Sequence, residues 1–151
     1  MPIATKNDKI ELSSENKTEE LAKKFLIKLK PGSIIFLYGE MGVGKTTFVK
    51  YLVNAYQKKY NLKQTEVTSP TFNLLNEYQI KQFKINHYDL FRLKSSNELR
   101  NLELFEDNLN TITLIEWPQI IKEKPENLIE LTLLYEDNHK NRSAQIKGLD
   151  L

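Results

Sequence analysis

The stretch Ser33-Ile34-Ile35-Phe36-Leu37-Tyr38-Gly39-Glu40-Met41-Gly42-Val43-Gly44-Lys45-Thr46-Thr47 decides the fold. Its first six residues are a continuous run of apolar, β-branched and aromatic side chains, the pattern of a strand covered on both faces. The next eight, Gly39 to Thr46, fit G-x-x-x-x-G-K-[ST], a phosphate-binding loop. From Thr46 to about Tyr60 an apolar stripe of Phe48, Tyr51, Leu52 and Ala55 predicts a helix. Strand, glycine loop and helix in that order are the context the motif requires.

The motif works through geometry. Glycines allow the tight turn that aims successive backbone N–H groups at phosphate oxygens. Lys45 adds a point charge, the Thr46 hydroxyl suits Mg²⁺, and the helix that starts there contributes its positive end. With glycine near ~7% of residues, a chance match in a chain of this length is on the order of half a percent. Three of the five glycines in the chain fall in this loop. The phosphate-binding set is therefore Gly39, Glu40, Met41, Gly42, Val43, Gly44, Lys45, Thr46 and Thr47.

Outward from the loop, Leu21, Phe25 and Leu29 recur at helical spacing. Ser14 or Thr18 is placed to cap that helix, and Pro31-Gly32 ends it. Lys9 to Leu12 reads as a short strand. Beyond Val67-Thr68-Ser69-Pro70-Thr71-Phe72, strands are predicted at about Asn73–Gln79 and Phe83–Tyr88. A helical segment carrying Leu99, Leu102, Leu104 and Phe105 follows, before Asp107-Asn108. Thr111 to Ile115, Leu128 to Tyr135 and Ala144 to Leu149 complete the strands. The whole predicts an α/β fold: a single P-loop NTPase domain over residues 1–151, with a largely parallel central sheet flanked by helices and late antiparallel strands.

The composition narrows the function. The 151 residues carry 22 cations against 20 acids, a net charge of +2, which gives direct DNA or tRNA binding no support. No cysteine is present, which excludes disulfides and thiolate metal sites. Met1 to Glu11 has no long apolar run and no membrane span can be drawn, so a cytoplasmic protein is expected.

A P-loop protein needs a further acid at the carboxyl end of a neighbouring strand to help hold Mg²⁺. Asp89 and Glu116 both stand in that position. Glu116 follows the more apolar strand and is the better candidate by pattern. His87 shares a face with Asp89 and reads equally as a proton-transfer group, an orienting partner or a structural hydrogen-bonder. Arg92 is one of three arginines, with Arg100 and Arg142, and could reach a phosphate or pair with an acid. Trp117, the only tryptophan, is either a wall of the site or core.

With these blocks in order, the chain resembles the bacterial TsaE family, the ATPases of tRNA threonylcarbamoyladenosine biosynthesis. The resemblance rests on Gly39 to Thr47, Ser69-Pro70-Thr71-Phe72, His87-Tyr88-Asp89-Leu90-Phe91-Arg92 and Glu116-Trp117-Pro118, over nearly the full length. It implies ATP and Mg²⁺ as cofactors and weak, partner-dependent ATP hydrolysis. It also implies TsaD and TsaB as partner proteins, with tRNA reached only through their complex. The modification would fall on the adenosine beside the anticodon in tRNAs reading codons that start with A. Carried onto this chain, Lys45, Asp89 and Glu116 are catalytic, and Thr46, Asp89 and Glu116 hold the metal. Ser69 and Thr71 lie in a switch-like loop near the γ-phosphate, Arg92 and Trp117 join the nucleotide site, and Ser14 touches the base. Where many members have Tyr this chain has Phe91, and Lys94 to Glu98 and Glu103 depart from the usual pattern.

Other readings have less behind them. A small-molecule kinase of this fold needs several lid arginines. A GTPase needs an Asn-Lys-x-Asp segment after a strand, and the nearest string, Asn16-Lys17-Thr18-Glu19, precedes the loop and lacks the Asp. A module holding nucleotide only as a structural ligand would not need Lys45, Thr46, Asp89 and Glu116 together.

Overall fold

The computed structural model describes residues 9–106 and 108–151, Asn108 without its side chain. Met1 to Asp8 and Asp107 lie outside the described residues, and with them most of the reading of Met1–Glu11. Seven strands form one sheet: β1 (Ile10–Glu11), β2 (Ile34–Tyr38), β3 (Leu75–Ile80), β4 (Phe83–Asp89), β5 (Thr111–Glu116), β6 (Leu128–Glu136) and β7 (Asn141–Lys147). Their order across the sheet is β1-β7-β6-β2-β5-β4-β3. The four central strands, β6, β2, β5 and β4, are parallel, while β3 joins β4 and β7 and β1 join the other side in antiparallel fashion. The expected largely parallel centre with late antiparallel strands is what forms, with a further antiparallel strand at the β3 edge. The last strand starts at Asn141, three residues before the Ala144 expected from pattern.

The apolar run in β2 has the explanation its pattern predicts. Ile35 and Leu37 face one side and pack in the main core; Ile34 and Phe36 face the other and pack in a second, smaller cluster. Two α-helices, α1 (Glu15–Lys28) and α2 (Lys45–Lys59), cover the first side. Helix α1 buries Leu21, Ala22 and Phe25; α2 buries Phe48, Val49, Leu52, Val53 and Tyr56. Each of the Leu, Val and Phe side chains among these stabilises by roughly 1.5–3 kcal/mol on burial, and Ala22 by less. Phe25 and Phe48 meet edge-to-face at 5.0 Å and lock the helices together. The expected stripe through Tyr51 and Ala55 is rotated by about one residue: both are half-buried, and Tyr51 reaches Glu15.

On the second side no α-helix lies over the sheet among the described residues. A 3₁₀ helix at Ser96–Leu102 and another at Pro118–Ile120 bring Leu99, Leu102, Leu104, Ile120 and Ile121 over Ile34, Phe36, Tyr88 and Ile115. The helical segment expected around Leu99 to Phe105 is thus of the tighter 3₁₀ kind and ends at Leu102. Among the described residues no helix is long and apolar enough to cross a membrane.

Strand alternation then fixes which polar residues reach the α-helical side. Phe83 and Ile85 of β4 pack in the main core, so His87 and Asp89, at even spacing beyond them, continue on that face. Ile112 and Leu114 of β5 do the same for Glu116. Asp89 and Glu116 are opposite each other in the parallel register, and Leu37, two residues before Gly39, pairs with Glu116 from the other flank. The carboxyl ends of three adjacent strands therefore meet at the start of α2.

Candidate nucleotide site

The glycine loop leaves β2 at Gly39 and enters α2 at Lys45, one residue earlier than the sequence pattern placed the helix start. Gly39 has φ +150°, and a Cβ there would lie 2.6 Å from Val43 Cγ1 and 2.8 Å from the Leu133 carbonyl oxygen. Gly44, which caps α2, sits at φ +117°. Both positions need glycine, one for space and one for backbone conformation.

Lys45 is 4% exposed. Its ammonium donates to the Gly39 carbonyl at 2.5 Å and lies 3.6 Å from the centroid of the Trp117 ring. Burial pulls its pKa below the ordinary lysine value, against the opposing pull of Glu116 and Asp89. Trp117 itself holds φ +56°, a left-handed conformation that costs a bulky residue on the order of 1–3 kcal/mol. That turn swings the indole out of line with β5 and against Phe91, ring centroids 4.9 Å apart. Trp117 is thus a wall of the cleft.

The two acids are buried and differently engaged. Glu116 Oε2 accepts from the Thr46 hydroxyl at 3.0 Å and from His87 Nε2 at 2.5 Å. Asp89 Oδ2 accepts from Ser69 at 3.0 Å and Thr71 at 3.2 Å, and its Oδ1 accepts from the Phe91 amide at 2.9 Å. Ser69 and Thr71 are themselves 2.8 Å apart. The polar segment around Pro70 is therefore latched to Asp89 by two hydroxyls.

These groups surround a cleft of about 370 Å³ lined by Met41, Gly42, Gly44, Lys45, Thr46, Thr47, Ser69, Thr71, Asp89, Phe91, Glu116 and Trp117. Val43 is buried behind it. Two carboxylates against one ammonium leave excess negative charge, and every free donor is a hard oxygen. Among the described residues no three His, Cys, Asp or Glu side chains are grouped to hold a metal unaided. Such a set fits Mg²⁺, which keeps several waters and takes one or two carboxylates plus phosphate oxygens.

Four of the expected residues stand outside this cleft. Arg92 is turned to the carbonyls of Phe72, at 2.8 Å, and Thr71, at 3.4 Å, and its guanidinium lies 5.5 Å from the Phe72 ring centroid. Ser14 occupies the N-cap of α1 in extended conformation, without a side-chain cap bond, and does not line the cleft. Glu40 and Gly39 line a second cleft of about 420 Å³ on the other flank of the loop, with Thr132, Leu133, Tyr135, Asn138 and His139. There the Tyr135 and His139 rings lie 4.2 Å apart, 36° from parallel, and His139 faces Glu40 at 3.7 Å. The sequence reading missed this pair. No local signal could have found it: it arises because β6, like β5, pairs parallel with β2, so its carboxyl end also opens beside the glycine loop.

The chain matches the family profile described as Threonylcarbamoyl adenosine biosynthesis protein TsaE over residues 12–144. It is 43% identical over 135 residues to the tRNA threonylcarbamoyladenosine biosynthesis protein TsaE of Rickettsia bellii, covering 89% of this chain and 91% of that one. The protein of the same name from Rickettsia typhi is 44% identical over 138 residues, covering 90% and 92%. That of Aquifex aeolicus is 36% identical over 132 residues, covering 87% and 91%. The crystal structure of Bacillus subtilis YdiB shares the fold, with a TM-score of 0.69 at 23% identity over 92% of this chain and 83% of that one. A full-length match of this kind, with a glycine loop and buried acids arranged as above, leaves one conclusion about kinship: the chain belongs to the TsaE family.

Proposed function

We propose that this protein binds Mg²⁺–ATP and hydrolyses it slowly in support of threonylcarbamoyladenosine formation on tRNA, acting with the TsaB–TsaD complex. The observation that carries the reading is the convergence of Lys45, Thr46, Asp89 and Glu116 on one cleft beneath the glycine loop. Loop amides and the Lys45 ammonium would hold the β- and γ-phosphates. Thr46 and Glu116 would hold Mg²⁺, with Asp89 close by; the ion would neutralise charge on the phosphate oxygens. Asp89, Ser69 and Thr71 would orient the attacking water. The Tyr135–His139 pair offers a flat surface for the base at the other end of the loop.

Slow turnover follows from what the cleft lacks. Arg92 is held by backbone carbonyls, and neither Arg100 nor Arg142 lines the cleft, so no described arginine meets the γ-phosphate. This also weighs against a small-molecule kinase. A partner would complete the site.

The test is ATP hydrolysis by the isolated protein with and without Mg²⁺, then with TsaB–TsaD and tRNA added. The proposal expects metal-dependent turnover that the partners raise. Equal rates in all arms would overturn it.

A further inference from the structure

We infer that His87 is a positioning residue for the metal-binding edge of this site: its Nε2–H fixes the Glu116 carboxylate through Oε2, which would leave the Thr46 lone pairs and the second Glu116 oxygen free for a cation. The inference rests on the Mg²⁺–nucleotide reading above.

Position 87 is one that packing alone would give to an aliphatic side chain. It follows Phe83 and Ile85 on the α-helical face of β4, its register partner is Leu114, and it is 0% exposed. A leucine there would leave no polar atom unpaired. The histidine does: Nδ1 is buried with no hydrogen-bond partner among the described residues. An orphaned buried acceptor is unfavourable, so the ring is retained for its other nitrogen. Nε2 meets Glu116 Oε2 at 2.5 Å, across the diagonal between β4 and β5. A carboxylate only accepts, so Nε2 carries the proton.

The direction of the bonds around Glu116 then matters. Oε2 takes donors from His87 and from Thr46, and no hydrogen bond reaches Oε1 among the described residues. Thr46 gives its proton to Glu116, which turns its lone pairs away from the carboxylate and toward the cleft. Without His87, Glu116 would keep Thr46 as its only anchor, and a buried carboxylate so placed rotates to use both oxygens on the groups that remain. Orienting partners of this kind usually change metal affinity by about tenfold to a hundredfold.

The experiment measures nucleotide affinity in EDTA and the Mg²⁺ concentration for half-maximal ATP binding, followed by Trp117 fluorescence and calorimetry. The proteins are wild type, His87→Leu, His87→Gln, Glu116→Gln and the His87→Leu/Glu116→Gln double variant. Positioning predicts that His87→Leu leaves metal-free affinity within about threefold but raises the Mg²⁺ requirement by about tenfold. His87→Gln, which keeps a donor, recovers most of it. In the Glu116→Gln background the His87 change adds nothing further. A merely structural role would lower metal-free affinity and Mg²⁺ response alike, and would add to Glu116→Gln. If His87→Leu does not fold, His87→Met, which fills the space without a donor, takes its place: a Mg²⁺ requirement within about twofold of wild type overturns the inference, and one raised about tenfold that His87→Gln restores supports it. If Glu116→Gln weakens the Mg²⁺ response and His87→Leu does not, His87 alone is misassigned. If wild type shows no Mg²⁺ dependence, the metal reading fails and takes this inference with it.

Discussion

The Lys45 ammonium rests on the face of the Trp117 ring, 3.6 Å from its centroid, while donating to the Gly39 carbonyl. The glycine-loop lysine thus rests on an aromatic surface, a contact worth about 0.5–2 kcal/mol.

Phosphate must draw Lys45 off that ring, so ADP or ATP is expected to change the fluorescence of this single tryptophan saturably. Lys45→Ala should start from the shifted emission and respond little to nucleotide, with affinity down at least tenfold. A fluorescence titration checks both. An unchanged response in Lys45→Ala would show that Trp117 senses something else.

If Lys45 binds phosphate as proposed, its burial would give nucleotide affinity a pH dependence of definite sign. Burial lowers its pKa in the empty protein, and bound phosphates would raise it again. The protonated form is the one that binds. Affinity is therefore fully present below the empty-state pKa and falls as pH rises through it, beginning below the ordinary lysine range. Binding at such a pH takes up a proton. Calorimetry in two buffers of different ionisation enthalpy measures that uptake, and Lys45→Arg should flatten the profile, because arginine keeps its charge.

Asp89 holds Ser69, Thr71 and the Phe91 amide together, and bonds to a charged acceptor contribute about 1.5–3 kcal/mol each where well shielded. Asp89→Ala is expected to speed amide exchange across residues 69–72 by more than tenfold while leaving ADP binding within a few-fold. Hydrolysis should fall by about a hundredfold if the same carboxylate orients water. Exchange indistinguishable from wild type would remove the latch.

Gly39→Ala is expected to destabilise the empty protein by about 1–3 kcal/mol, because the added methyl meets Val43 and the Leu133 carbonyl. Thermal unfolding reads this without any nucleotide. A melting point within a degree of wild type would mean that the loop has room to give.

Much of this arrangement was legible in the residues, for identifiable reasons. Ile34 to Leu37 announced a strand covered twice because every side chain in it is apolar, and both faces proved occupied. Asp89 and Glu116 could be picked because each ends a strand-like run, apolar before Glu116 and alternating before Asp89, and neighbouring parallel strands end together. What stayed hidden depends on long-range pairing. The Tyr135–His139 surface exists only because β6 and β7 pair and the turn between them puts Asp137, Asn138 and His139 at positive φ. No local spacing announces that. The rotation of the α2 stripe was missed because Tyr51 is apolar by composition but half-solvated in place. Arg92 looked free to reach a phosphate; its hold on the Thr71 and Phe72 carbonyls comes from a loop whose path no pattern specifies.

The latch on Asp89 has a consequence for the surface. A carboxylate offers about four acceptor places, and three of them are filled by Ser69, Thr71 and the Phe91 amide. An occupant of the cleft that claims more than the one remaining must evict a hydroxyl. The evicted residue is one or three positions from Phe72, which stands 85% exposed with Arg92 stacked against it and gripping its carbonyl. One acceptor place inside the cleft is thereby tied, through Ser69 and Thr71, to the posture of an aromatic ring on the outside.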